Sequence, residues 1–145
     1  LATGTGTLSA DELGQLPWPV EGELVYAFGP EQRPNGVTLR RNGIGIAANP
    51  GTPVRAVRSG TVMVASAMEG FGNGVVINHG AGYYTLYMYL DDIRVREGQD
   101  VTTRQVLGTV GEGPEEGPHL YLQIRAPVGG TTPVPVDPLP WLRAR

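Results

Sequence analysis

Apolar residues in this chain fall in short runs: Leu24 to Phe28, Val37 to Leu39, Thr61 to Val64, Val75 to Ile77, Tyr84 to Leu90, Ile93 to Val95, Gln105 to Val110 and His119 to Ile124. Glycine and proline punctuate them about every eight to twelve residues, the spacing of short antiparallel strands joined by tight turns. No segment sustains a helical period. With 22 glycines and 13 prolines available as turn residues, the pattern predicts an all-β domain.

Two runs alternate strictly. In one, Leu86, Met88 and Leu90 oppose Thr85, Tyr87 and Tyr89; in the other, Leu120, Leu122 and Ile124 oppose His119, Tyr121, Gln123 and Arg125. Successive side chains of a strand point to opposite faces of its sheet, so each apolar set is expected in the core. Before the first run, residues 1–15 are rich in small side chains, too poor in bulk to pack a core, and read as a flexible linker. The domain proper, residues 16–145, opens on Leu16-Pro17-Trp18-Pro19-Val20, where two prolines enforce an extended approach and the indole can cover a sheet edge. Asp137-Pro138-Leu139-Pro140-Trp141-Leu142 closes it with one turn and an aromatic plug.

A chain of 145 residues is the size of one ordinary domain and needs no staples to fold. It has no cysteine, which removes disulfide and thiolate-metal chemistry and is compatible with an oxidising compartment. A net charge of −3, with every basic residue an arginine, leaves no footprint for nucleic acid and no polybasic membrane anchor. No apolar run reaches the roughly 20 residues of a membrane helix. The first residue is Leu1, which suggests a mature form or an excised fragment.

Candidate chemistry is sparse. The two histidines are His79, after three apolar residues at a strand end and read as structural, hydrogen-bonded to a turn, and His119. Asp91-Asp92 and Glu115-Glu116 are acidic pairs in turn-like sequence, read as solvated surface and not as a glycosidase pair. There is no Gly-x-Ser-x-Gly, and Gly70-Phe71-Gly72-Asn73-Gly74 is a weak glycine match with no helix after it.

That glycine run joins a larger set: Gly51-Thr52-Pro53-Val54, Gly60-Thr61-Val62, His79-Gly80, Leu86-Tyr87, Gly98, Gly108-Thr109-Val110-Gly111, His119-Leu120-Tyr121 and the closing Asp137 to Leu142. In combination, over residues 16–142, they resemble the LytM or lysostaphin-like family of zinc endopeptidases, which cut the peptide cross-bridges of peptidoglycan. The EnvC-type branch, whose members lack activity, is resembled most. The resemblance implies an antiparallel β-sheet sandwich or roll of the lysostaphin-like, duplicated-hybrid-motif type, with the aromatic and polar strand faces lining a surface groove.

The resemblance also implies a ligand set: the histidine and aspartate of H-x-x-x-D and the second histidine of H-x-H, leaving one open position for water. Aligned on these motifs, Arg41, Gly45 and Tyr121 take the three ligand positions. His119 takes that of an assisting histidine, and Tyr89 that of a second one. No metal and no other cofactor is expected, since a guanidinium is a permanent cation. What the branch implies instead is a non-catalytic domain of the periplasm or cell envelope that binds and activates a peptidoglycan (N-acetylmuramoyl-L-alanine) amidase, accepting an amidase regulatory helix in the vacated groove. Candidate contacts are Arg41, Asn42, Tyr89, His119, Tyr121 and Gln123, with Tyr83, Tyr87 and Met68 as weaker neighbours. Peptidoglycan itself is a possible ligand, and a peptidoglycan-binding or envelope scaffold module without catalysis is the alternative.

Overall fold

The computed structural model describes residues 8–113, 117–130 and 132–144; Glu115 and Glu116 lie outside them. The strands are β1 (Leu24–Tyr26), β2 (Gly29–Gln32), β3 (Thr38–Arg41), β4 (Ile44–Ala47), β5 (Pro53–Arg55), β6 (Gly60–Met68), β7 (Gly72–Gly80), β8 (Tyr83–Ile93), β9 (Asp100–Val101), β10 (Val106–Val110), β11 (His119–Ala126) and β12 (Val134–Val136). A main sheet runs β1-β4-β11-β8-β7-β6-β9, with β12 added on β11 and β10 bridging β8 to β5, while β2 and β3 form a separate hairpin. The strand pairs are antiparallel, as the turn spacing predicts. Among the described residues no helix is long and apolar enough to cross a membrane.

The main core lies on one side of the sheet and gathers Ile44, Ile46, Val75, Ile77, Leu107, Leu120, Leu122 and Ile124 with Trp141 of the closing turn. A second, smaller cluster lies on the other side: Tyr26, Val76, Met88 and Tyr121, flanked by Met68, Phe71, Tyr84, Leu86 and Tyr89. On β11 the expected division of faces holds, with Leu120, Leu122 and Ile124 inward. On β8 it is reversed. Thr85 and Tyr87 are completely buried in the main core, whereas Met88 and Leu86 belong to the outer cluster.

Polar groups can enter a core when every one is satisfied, and this is what turns β8 over. The Tyr87 hydroxyl accepts the Val57 N–H at 3.1 Å and lies 2.9 Å from Thr85 Oγ1, which in turn lies 2.8 Å from His79 Nε2. His79 Nδ1 meets the Ser59 carbonyl at 2.8 Å. Tyr89 then adopts a left-handed backbone, φ 63°, which resets the alternation so that Leu90 returns to the main core. Tyr87 is thereby removed from the groove. Tyr83 also points elsewhere, its ring edge-on to Trp141 at 5.9 Å.

Part of the segment expected to be linker is packed. Leu8 is 1% exposed and joins the main core, Ser9 caps a single 3-10 turn (Ala10–Glu12), and Glu12 pairs with Arg58. Leu16 and Leu142 form a parallel bridge, reinforced by the Trp18 indole N–H on the Arg143 carbonyl at 2.8 Å.

Candidate functional site

β4 and β11 lie side by side, with Tyr121 opposite Gly45 and His119 opposite Ala47. The core side of β4 is Ile44 and Ile46. On the other side stand Gly45 and, just before the strand, Gly43, and two aromatic rings occupy the space their missing side chains leave. A Cβ on Gly43 would stand 2.8 Å from the Tyr121 ring, and one on Gly45 would stand 2.6 Å from the Tyr26 ring. Glycine is therefore required at both positions by close approach.

Tyr26, which sequence reasoning did not single out, is at the centre. Its hydroxyl lies 2.8 Å from His119 Nε2, and its ring meets the imidazole edge-on at 5.2 Å. His119 Nδ1 lies 2.8 Å from the Gly117 carbonyl. A carbonyl only accepts, so Nδ1 carries the hydrogen and, in the neutral ring, Nε2 accepts from the phenol. Over the Tyr26 ring sits the Arg41 guanidinium, 3.7 Å from the centroid, while Arg41 Nε donates to Glu31 at 3.0 Å. The only signal in the sequence was the pair of glycines flanking Ile44, which calls for large neighbours without saying which.

Around this stack the remaining candidates separate by depth. Tyr121 packs on Phe71 at 5.4 Å, and its hydroxyl accepts from Gln123 Nε2 at 2.8 Å; Arg125 Nε in turn donates to Gln123 Oε1 at 2.7 Å. Burial pushes the Tyr121 phenol above its ordinary range, opposed by the Gln123 hydrogen bond, so it stays protonated. His119, Tyr121 and Gln123 are all buried, Tyr89 is half-buried between Phe71 and His119, and Asn42 is exposed. Arg41, Tyr89, His119 and Tyr121 are brought into one cluster; Asn42 stands at its edge. Beside it, on the same side of the sheet, runs an apolar trough of about 440 Å³ lined by Met63, Met68, Val76, Tyr84, Leu86 and Arg125.

Among the described residues no three His, Cys, Asp or Glu side chains come together to hold a metal ion. Asp92 takes Thr109 Oγ1 and Arg94 as partners, and the Thr109 hydrogen bond, helped by Arg94, holds its carboxyl below the usual range.

The sheet thus carries an aliphatic core on one side and, on the other, an aromatic cluster over Gly43-Ile44-Gly45. Residues 40–138 match peptidase family M23, and the chain belongs to that family. Among its relatives, the "murein hydrolase activator EnvC" of Escherichia coli is 36% identical over 143 residues, 98% of this chain and 32% of the relative. The "murein hydrolase activator NlpD" of the same organism is 33% identical over 109 residues, 74% of this chain and 27% of the relative. This chain thus spans about a third or less of either. Among solved structures, the antimicrobial peptidase lysostaphin from Staphylococcus simulans superposes with a TM-score of 0.73 at 28% identity, over 92% of this chain and 55% of that one.

Proposed function

We propose that this is a non-catalytic M23 domain of the periplasm or cell envelope, which binds a peptidoglycan amidase and activates it. The observation that carries the reading is the Tyr26 stack. The His119 Nε2 lone pair is taken by a phenol, the ring covers Gly45, and a guanidinium lies on top. This donor set does not fit Zn²⁺, which takes histidine nitrogen, cysteine sulfur or carboxylate oxygen and is repelled by a fixed cation. The two activator relatives support the same reading, each as a whole protein longer than this chain.

A groove that holds no metal keeps its shape, and an amphipathic helix can lay its apolar face in it. The trough offers Met63, Met68, Val76 and Leu86 for such anchors, and Arg125 for an acidic residue beside them. Within the cluster, Asn42 and Tyr89 are the candidates for direct contact. Arg41, His119, Tyr121 and Gln123 act from beneath, as the floor that holds the rim in place. Activation needs only that the domain bind the open form of the amidase more tightly than the closed one. The test is release of dye from labelled peptidoglycan by this protein, by a candidate amidase and by both together. The expected result is no release above buffer from the domain alone and a raised rate in the mixture. Release by the domain alone, from a preparation free of amidase, would return it to the enzymes.

A further inference from the structure

We propose that Tyr26 is a built-in occupant of the place where a zinc ion sits in peptidases of this fold, and that together with Arg41 it braces the groove in the metal's stead. This inference does not depend on which partner the groove receives. It starts from the pairing of β1 with β4, where a register shift between Leu24 and Tyr26 sets Tyr26 opposite Gly45. The shift seats the phenol over the glycine and no longer in strict alternation along the edge of the sheet.

From there the ring reaches three other strands. Its hydroxyl bonds to His119 on β11 at 2.8 Å, its face receives Arg41 from β3 at 3.7 Å, and Arg41 is held in turn by Glu31 on β2 at 3.0 Å. Tyr26 is 9% exposed and the Arg41 side chain 13%, so the guanidinium over the ring is shielded from water, where a cation over an aromatic face is worth most. A metal ion joins its ligands' strands through coordinate bonds. Here one phenol and one guanidinium join β1, β2, β3 and β11, and β4 contributes the room.

The stack also explains why the site cannot be rebuilt by exchanging ligand residues alone. An aspartate at position 45 would place its Cβ 2.6 Å from the Tyr26 ring, nearer than carbon atoms approach, and the hydroxyl bond to His119 still holds the ring there when Arg41 is replaced. Arg41→His with Gly45→Asp and Tyr121→His restores the H-x-x-x-D and H-x-H motifs but leaves the occupant in place.

The experiment compares the wild-type chain, that triple variant and the triple variant with Tyr26→Ser, each dialysed against zinc and analysed for bound metal and for melting temperature with and without zinc. The expected result is about one zinc per chain and a zinc-dependent rise in melting temperature only when Tyr26 is also replaced. Equal zinc uptake by the two engineered proteins, whether full or absent, overturns the claim that Tyr26 excludes the metal. The brace is read separately on single variants that leave the ligand positions untouched. Amide hydrogen exchange in Tyr26→Ala is expected to quicken at least tenfold at residues 119–121 and 44–46 and to stay unchanged at 75–77. In Tyr26→Phe, which keeps the ring under Arg41 but loses the bond to β11, exchange at residues 119–121 should quicken less than in Tyr26→Ala while the imidazole nitrogen shifts of His119 move, because Nε2 has lost its donor. Unchanged exchange in Tyr26→Ala overturns the brace.

Discussion

His79 shows how a single buried imbalance sets the response to acid. Burial lowers its pKa to about 4, against the Ser59 hydrogen bond that favours the charged form, and nearby Arg58 adds repulsion. The ring is therefore neutral: Nδ1 donates to Ser59 and Nε2 accepts from Thr85. In the unfolded chain the same histidine titrates near 6.5, so between that pH and about 4 the unfolded state binds the extra proton. Stability is full above pH 6.5 and is lost as pH falls through this window, by about 3 kcal/mol at ~1.4 kcal/mol per unit. Urea unfolding at pH 7 and pH 4.5 checks it: His79→Gln should be less stable at pH 7 but should show a visibly shallower fall between the two. The sequence marked His79 as structural from its place at a strand end, and that holds. What it could not give was the depth, because Ser59 and Thr85 reach the ring through pairing between strands.

β8 is the element where local pattern and tertiary structure part. Its alternation was legible, but the face was not, since hydropathy ranks Leu86 and Met88 above Thr85 and Tyr87 and takes no account of a satisfied hydrogen-bond chain. The consequence is testable. Tyr87→Phe should cost about 1 to 3 kcal/mol of stability by leaving the Val57 N–H without its acceptor and Thr85 without its neighbour, while the proposed amidase binding stays unchanged. A groove residue would give the opposite pair of results in denaturant unfolding and calorimetric titration. Strands β2, β5 and β12 escaped the sequence reading for a different reason. Each contains a proline, Pro30, Pro53 or Pro135, and each is an edge strand with a single partner, a setting in which a missing N–H is tolerated. Leu8 was hidden by its neighbours: one aliphatic residue among small ones reads as linker, yet it is packed with the core.

At the scale of the molecule, the sheet separates two tasks, with the aliphatic core behind it and the aromatic groove in front. Most of the fold was readable because glycine and proline spacing marks turns wherever the partners lie. The centre of the site was not, because Tyr26 and His119 are 93 residues apart in the chain and only the assembled sheet brings them together. If the groove receives a partner helix, Tyr89→Ala at its rim or Met63→Glu in the trough should weaken binding by at least about 1 to 2 kcal/mol, the scale of an interface hot spot. Circular dichroism should show an intact fold and titration with the amidase or its regulatory helix should measure the loss; full affinity in both would place the interface elsewhere and favour a scaffold. The seam between the two chain ends has a mechanical side. Leu16 N–H on the Trp141 carbonyl, Arg143 N–H on the Leu16 carbonyl, the Trp18 indole on the Arg143 carbonyl and Arg143 Nε on the Gln15 carbonyl lie together along one parallel bridge. Tension applied through the two ends would load these four bonds in shear, all at once and not in succession like a zip. A domain closed in this way yields late under force, and the groove on its far face keeps its form until the seam gives.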